Sequence, residues 1–280
     1  MEVFHSVLEL QNYLHKTGAN SSVGFVPTMG ALHDGHLALV KKAISENDLT
    51  VVSIFVNPTQ FDKSEDLDNY PRTLDADVAL LTEIDCDIVF APSVGEIYNE
   101  DISARKFDFD GLEYEMEGKH REGHFDGVGT IVKRLFDIVN PSQAYFGEKD
   151  FQQLQIIRKL VKKHKMDIKI VGCPIHREQD GLAMSSRNTR LTSEARLAAP
   201  FIFQLLKEAK KKFKKHSISK VEAWVESQYE ANGQLDLEYF EIANADTLKP
   251  VQRKRKGTNY RAFVATYAGN IRLIDNIALN

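Results

Sequence analysis

His33 and His36 stand three residues apart in the run Pro-Thr-Met-Gly-Ala-Leu-His-Asp-Gly-His-Leu, residues 27–37. Side chains at that spacing meet on one face of a helix. Imidazoles there can donate hydrogen bonds to phosphate oxygens and stabilise charge that develops on them. The apolar run at residues 23–26 reads as a short buried strand, and Leu37, Leu39, Val40 and Ile44 then recur at helical spacing. The chain therefore passes from strand, through a Pro/Gly turn, into a helix beginning near Gly35 and His36. Such a turn presents unpaired backbone N–H groups at the positive end of a helix, a seat for phosphate. The chemistry indicated is nucleotide binding. For either histidine taken singly, a capping or solvent-facing role is the ordinary reading.

Two more stretches have phosphate chemistry. Gly147, Glu148, Lys149 and Asp150 leave the carboxyl end of an expected strand, where Lys149 can act as a mobile point charge. Met184, Ser185, Ser186 and Arg187 offer two hydroxyls and a guanidinium, all suited to phosphate oxygens. Alone, the first is an ordinary surface turn and the second an ordinary linker. Together with the histidine pair they place three phosphate-competent loops at one edge of one sheet. Gln60 sits in a turn, residues 57–61, at the carboxyl end of another expected strand, the edge where open α/β sheets bind ligands. His120 and His124 lie in a polar, glycine-flanked stretch and read as surface histidines rather than metal ligands.

The elements that must position these groups follow from periodicity. Residues 3–16 read as an amphipathic helix. Strands are expected at residues 23–26, 50–56, 87–91, 142–146 and 167–171, with helices at about 35–47, from Tyr70 to Ile84, 127–139 and 151–161. Strand alternating with helix is the pattern of a parallel sheet with right-handed crossovers. The acidic residues 62–68 read as a solvated loop. Residues 93–125 read as an insertion bordering the site, with 107–109 as an isolated strand. After Cys173 and Pro174 the texture changes. Residues 180–188 read as a flexible linker. A helix from about Ser193 and another at 221–229 precede an alternating stretch at 235–242, and residues 261–267 and 271–277 form a hairpin. The expected fold is therefore α/β, a Rossmann-like parallel sheet over residues 1–175 with a smaller α+β domain over 176–280.

Composition bounds the function. The chain has 280 residues, 42% of them hydrophobic, enough for a sizeable core. A net charge of −4 argues against a general binder of nucleic acid or anionic membrane. The lysines of residues 207–215 accordingly read as the wet face of an amphipathic helix. Cys86 and Cys173 each lie beside an apolar run and read as buried thiols in a reducing compartment. The N-terminus lacks a basic segment followed by a long apolar one, and no apolar run is long enough to span a bilayer.

The residues also carry a resemblance. His33-Asp34-Gly35-His36 resembles the HxGH element of the nucleotidyltransferase superfamily, and the whole run 27–36 resembles the pantothenate synthetases (pantoate–β-alanine ligases). That family's motifs FVNPxQF, YPRT, HFDGV, FGEKDxQQ and GLAMSSRN stand here in the same order, at residues 55–61, 70–73, 124–128, 146–153 and 181–188. The C-terminal third adds little to the match. The resemblance implies a cytoplasmic, homodimeric enzyme that joins pantoate to β-alanine through a pantoyl adenylate, releasing pyrophosphate and then AMP. It implies that Met29, Gly30, Ala31, Leu32, His33, Asp34, Gly35 and His36 line the ATP site, with His36 as catalytic acid aided by His33 and Lys149. Gly147, Glu148, Lys149, Asp150, Met184, Ser185, Ser186 and Arg187 would hold nucleotide and phosphates. Gln60 and Gln153 would grip pantoate, with Val128, Ile131 and Val132 as the apolar wall for its gem-dimethyl group. Mg²⁺ would accompany ATP, its protein ligands unassigned, with Asp77 a candidate outer-shell partner. His176, beside the adenine, departs from the small apolar residue usual in the family. The second domain would act as a lid. A nucleotidyltransferase or a non-catalytic nucleotide sensor of the same fold would share the HxGH loop; the paired glutamines and FGEKD favour the ligase.

Overall fold

The structure, a computed structural model, describes residues 1–17, 21–61, 64–99 and 101–280. The chain divides into two compact units. One comprises Met1–Glu148 with Gln153–Pro174, the other Lys149–Gln152 with Ile175–Asn280.

The first unit is built on a six-stranded parallel sheet: β1 (Glu2–Phe4), β2 (Val23–Thr28), β3 (Leu49–Ile54), β4 (Ile88–Phe90), β5 (Gln143–Gly147) and β6 (Lys169–Cys173). Their order across the sheet is β1-β4-β3-β2-β5-β6. From β2 the chain moves outward through β3 to β4, then returns to lay β5 on the other side of β2. The order thus reverses between β2 and β5, and at such a switch point the carboxyl ends of the two strands open a crevice. The helices of this unit are α1 (Val7–Thr17), α2 (Asp34–Glu46), α3 (Ser64–Asp68), α4 (Leu74–Glu83), α5 (Val94–Tyr98), α6 (Glu117–His120), α7 (His124–Val139) and α8 (Phe151–Lys163), the last beginning among the second unit's residues. One core cluster gathers Val26, Val52, Val89 and Tyr145 of the sheet with Leu37, Val40 and Ala43 of α2 and Leu81 of α4.

Several local expectations are corrected. The start of the chain is not helical: Glu2–Phe4 forms the edge strand β1, paired with β4 and too short to show a period. Residues 64–68 are a helical turn rather than loop, with Glu65 and Asp66 favourably placed at its positive end; Asp62 and Lys63 lie outside the described residues. Residues 107–109 make no strand. The Phe107 and Phe109 rings instead stack 5.5 Å apart. A Cβ on Gly129 of α7 would lie 2.9 Å from Phe109, so the glycine admits this close approach. β6 sits two residues later than expected, because its register is set by β5, Gln143 opposite Lys169.

The second unit carries α9 (Ser193–Ala198), α10 (Phe201–Lys215), α11 (Ile218–Asn232) and the antiparallel sheet β7 (Asp236–Asn244), β8 (Tyr260–Ala268), β9 (Ile271–Ala278), in that order. The single helix expected from Ser193 is two, because Pro200 has no N–H to carry the hydrogen-bond ladder on, although Ala199 before it keeps helical backbone. Ile202, Leu205, Leu206, Ala209 and Phe213 of α10 pack with Val221 and Val225 of α11 on the sheet residues Ile242, Ala262 and Val264. The stretch expected to be a linker is an ordered hairpin. Arg177 and Ala183 form an antiparallel bridge, the Met184 N–H donates to the His176 carbonyl, and a 3-10 turn follows at Ser186–Arg190. Among the described residues no helix is long and apolar enough to cross a membrane.

Candidate active site

The histidine loop leaves the carboxyl end of β2 at the switch point. Thr28 anchors its start: the hydroxyl donates to the Ser53 carbonyl at 2.7 Å and accepts from the Gly30 N–H. Gly30 and Ala31 then take left-handed backbone, φ 79° and 51°. For alanine that conformation is costly and must be held from outside. The holder is Asp77 on α4, only 1% exposed. Its carboxylate accepts from the Leu32 N–H at 2.8 Å, the Ala31 N–H at 3.0 Å and the Thr73 hydroxyl at 3.2 Å. Both oxygens thereby accept from the loop, and one of them also from Thr73 at the start of α4.

His33 is the N-cap of α2. Its backbone is extended, and its Nδ1 accepts from the Gly35 N–H at 3.2 Å. An Nδ1 that accepts leaves the proton of the neutral ring on Nε2. The His36 ring lies 4.0 Å from the His33 ring, centroid to centroid and tilted by 32°. The two imidazoles thus sit together over a helix N-terminus, where the peptide dipoles favour an anion.

Gln60 is brought to this loop by the 3-10 turn Pro58–Gln60 after β3. Its Nε2 lies 3.0 Å from the Met29 sulfur, and its Oε1 accepts from Asn57 Nδ2 at 3.1 Å. Asn57, which the sequence reading passed over, is 1% exposed and also takes a 2.6 Å hydrogen bond from the Tyr98 hydroxyl. The start of α7 closes on the same turn: a Cβ on Gly127 would lie 2.2 Å from the Thr59 carbonyl oxygen. The helix begins at His124 rather than Gly127, and His124 is buried, not a surface residue. Its Nδ1 donates to the Gln60 carbonyl at 2.8 Å, while Nε2 faces the Arg121 guanidinium at 3.2 Å. A guanidinium only donates, so this His124 ring is the neutral Nδ1–H tautomer. His120 is exposed. Val128, Ile131 and Val132 are buried along α7. The signal for His124 was present in its spacing from Gly127, which puts both residues on the helix face nearest the Gln60 turn.

The remaining expected site residues divide between the units. Gly147 ends β5 next to β2, Glu148 follows it, and Gln153 lies in the first turn of α8, all in the first unit. Lys149 and Asp150 belong to the second unit, with Lys149 Nζ 3.7 Å from the Asp150 carboxylate. His176 is also there, its side chain exposed and its carbonyl used by Met184. The Ser185 hydroxyl caps the following turn, accepting from the Arg187 N–H at 3.3 Å. Among the described residues, no group of three or more His, Cys, Asp or Glu side chains is arranged to hold a metal ion.

Known proteins resemble this chain along its whole length. The family model for pantoate-beta-alanine ligase matches residues 2–278. The pantothenate synthetase of Christiangramia forsetii is 54% identical over 282 residues and that of Flavobacterium psychrophilum 54% over 281, each covering 100% of both chains. The crystal structure of pantothenate synthetase from Thermus thermophilus superposes with a TM-score of 0.92 at 41% identity, covering 100% of this chain and 99% of that one. The pantoate-beta-alanine ligase of Francisella tularensis, solved in complex with beta-gamma ATP and β-alanine, gives 0.82 at 35%, covering 100% and 98%. Full-length identity well above that of a shared fold, together with an HxGH loop built at the switch point of the sheet, means that this chain belongs to the pantoate–β-alanine ligase family.

Proposed function

We propose that this chain carries out the reaction of its family, the ATP-dependent ligation of pantoate and β-alanine, through a pantoyl adenylate. The observation that carries this is the histidine pair at the α2 N-terminus, 4.0 Å apart on a loop locked by Asp77. Neither histidine needs to be a nucleophile. The pantoate carboxylate oxygen attacks the α-phosphorus of ATP, a P–O bond forms, and the α–β anhydride bond breaks with loss of pyrophosphate. The β-alanine amine then attacks the acyl carbon, gives up a proton, and AMP leaves with the former carboxylate oxygen. The protein's part in the first step is position and charge stabilisation.

In this reading His36 is the catalytic acid toward the leaving pyrophosphate, and His33 donates from Nε2. Met29 to Gly35 present their backbone to the nucleotide. Gly147, Glu148, Lys149, Asp150, His176, Met184, Ser185, Ser186 and Arg187 are assigned to nucleotide and phosphates. Gln60 and Gln153 are assigned to pantoate, with Val128, Ile131 and Val132 as its apolar wall. Mg²⁺ accompanies ATP, held largely by the phosphates and water, with Asp77 a candidate outer-shell partner. A homodimer and a cytoplasmic location complete the reading; the two free, buried thiols support the latter. Sedimentation at micromolar concentration is expected to show a dimer, and a monomer would remove that part.

The deciding experiment is the first half-reaction. Enzyme, Mg²⁺, ATP and labelled pyrophosphate should return label to ATP only when pantoate is added. β-Alanine should then release AMP and pantothenate. Exchange that required β-alanine, or ADP in place of AMP, would overturn the adenylate. A product still carrying the nucleotide would indicate a nucleotidyltransferase, and an absence of exchange a sensor.

A further inference from the structure

The second unit buries a polar network that the reaction as described does not use. On β9, Asp275 is 4% exposed and Asn276 only 2%. Adjacent residues of a strand face opposite sides of its sheet, and these two hold different segments. Asn276 Nδ2 donates to the Lys149 carbonyl at 2.8 Å, and the Asn276 side-chain oxygen accepts from the buried Arg261 of β8. The Arg261 guanidinium lies over the Phe151 ring at 3.8 Å. Phe263, directly across from Asn276 in the sheet, packs on the same Phe151 ring at 6.0 Å. The segment Lys149–Gln152 is thus seated on the sheet by a hydrogen bond at its start and two ring contacts just after it.

The neighbouring Asp275 takes both ends of the Arg177 guanidinium, at 2.6 and 2.9 Å. Arg177 opens the hairpin that leads into Met184, Ser185, Ser186 and Arg187. Its guanidinium carbon lies over the Phe203 ring at 3.7 Å, and the guanidinium also donates to the Gly181 carbonyl at 3.1 Å. A bidentate pair on a buried carboxylate fixes orientation as well as distance. The Asn276 N–H donates to the same Asp275 carboxylate at 2.7 Å, which links the two halves of the network.

We infer that Asn276 is a positioning residue for Lys149, and that β9 holds Lys149 and the 184–187 segment in fixed register through Asn276 and Asp275. The inference rests on the proposed role of Lys149 in adenylation. A lysine is a flexible point charge. Clamping its own carbonyl fixes where the side chain starts, and so which positions its ammonium reaches. Asn276 touches neither reactant.

The test is pyrophosphate exchange by Asn276→Ala and Asn276→Asp, each alone and combined with Lys149→Ala. Asn276→Asp keeps the contact with Arg261 but turns an acceptor toward the Lys149 carbonyl. Each single variant should lose about a hundredfold in exchange turnover, the scale of a misplacement of roughly 1 Å, with the Michaelis constant for pantoate unchanged. In the Lys149→Ala background neither should cause further loss, because the group being positioned is gone. Losses that multiply in that background, or wild-type turnover in both single variants, overturn the inference while leaving the ligase reading intact. If Lys149→Ala itself turns over normally, the role assigned to Lys149 fails and the inference falls with it. Should Asn276→Ala be unfolded at the assay temperature by circular dichroism, Asn276→Asp decides.

Discussion

The Asp77 carboxylate and the Leu32 backbone N–H meet at 2.8 Å, joining helix α4 to the loop that carries His33 and His36. With the second bond to Ala31, this one buried side chain holds the backbone just after the left-handed turn at Gly30 and Ala31, a conformation costly for alanine. Asp77→Asn replaces one acceptor oxygen with a donor that faces another donor. A lost hydrogen bond to a charged group costs about 1.5–3 kcal/mol. The variant is expected to melt at lower temperature and to lose exchange turnover together. Thermal unfolding followed by circular dichroism, alongside the exchange assay, checks both; a lower melting point with full turnover would detach the loop geometry from Asp77.

Gly127→Ala should act on pantoate. Its Cβ would stand 2.2 Å from the Thr59 oxygen and 2.7 Å from the Gln60 Cα, backbone that cannot swing aside as a side chain can. The turn carrying Gln60 must shift. Steady-state kinetics should show a raised Michaelis constant for pantoate and a nearly unchanged one for ATP.

His36→Ala and Lys149→Ala are expected to fold normally and to lose about a hundred- to thousandfold in turnover. That is the scale for removing one donor that stabilises transition-state charge. Neither side chain belongs to the core of its unit. Near-wild-type turnover in either variant would remove that residue from the mechanism.

The two cysteines give a pH signature. Burial pushes the Cys86 thiol up to about 12 and the Cys173 thiol up to about 11, from an ordinary value of 9.0. Between pH 9 and about 11 the unfolded chain therefore loses thiol protons that the folded chain keeps. The unfolded state binds fewer protons there, so this contribution to stability is complete below pH 9 and falls as pH rises. The urea midpoint should fall across that window, and fall less in a Cys86→Ala, Cys173→Ala double variant. At pH 8 a thiol reagent should find neither cysteine in the native protein and both in denaturant.

What was legible in the sequence follows from local rules. The strands β2, β3 and β5 announced themselves as β-branched or apolar runs, and α2, α7 and α10 as apolar stripes, because periodicity is a property of a short window. Gly30, His33 and His36 were legible for the same reason, since turn, cap and helix start lie within seven residues. Errors came where a segment's structure depends on what lies across from it. β1 is a strand only because β4 offers an edge to it. Residues 177–183 are ordered because Arg177 finds Asp275, 98 residues later.

The sequence by itself determined the α/β class, the order of the elements and the types of side chain available for phosphate chemistry. Tertiary structure decided which partners those side chains have. It sent β5 back beside β2, so that the strand order reverses between them. It placed Asp77 under the histidine loop, buried His124 against Gln60, and grouped Lys149 with the second unit on Asn276. Each of these joins residues far apart in the chain, and no window of sequence contains the register, burial and approach of backbones that bring them together.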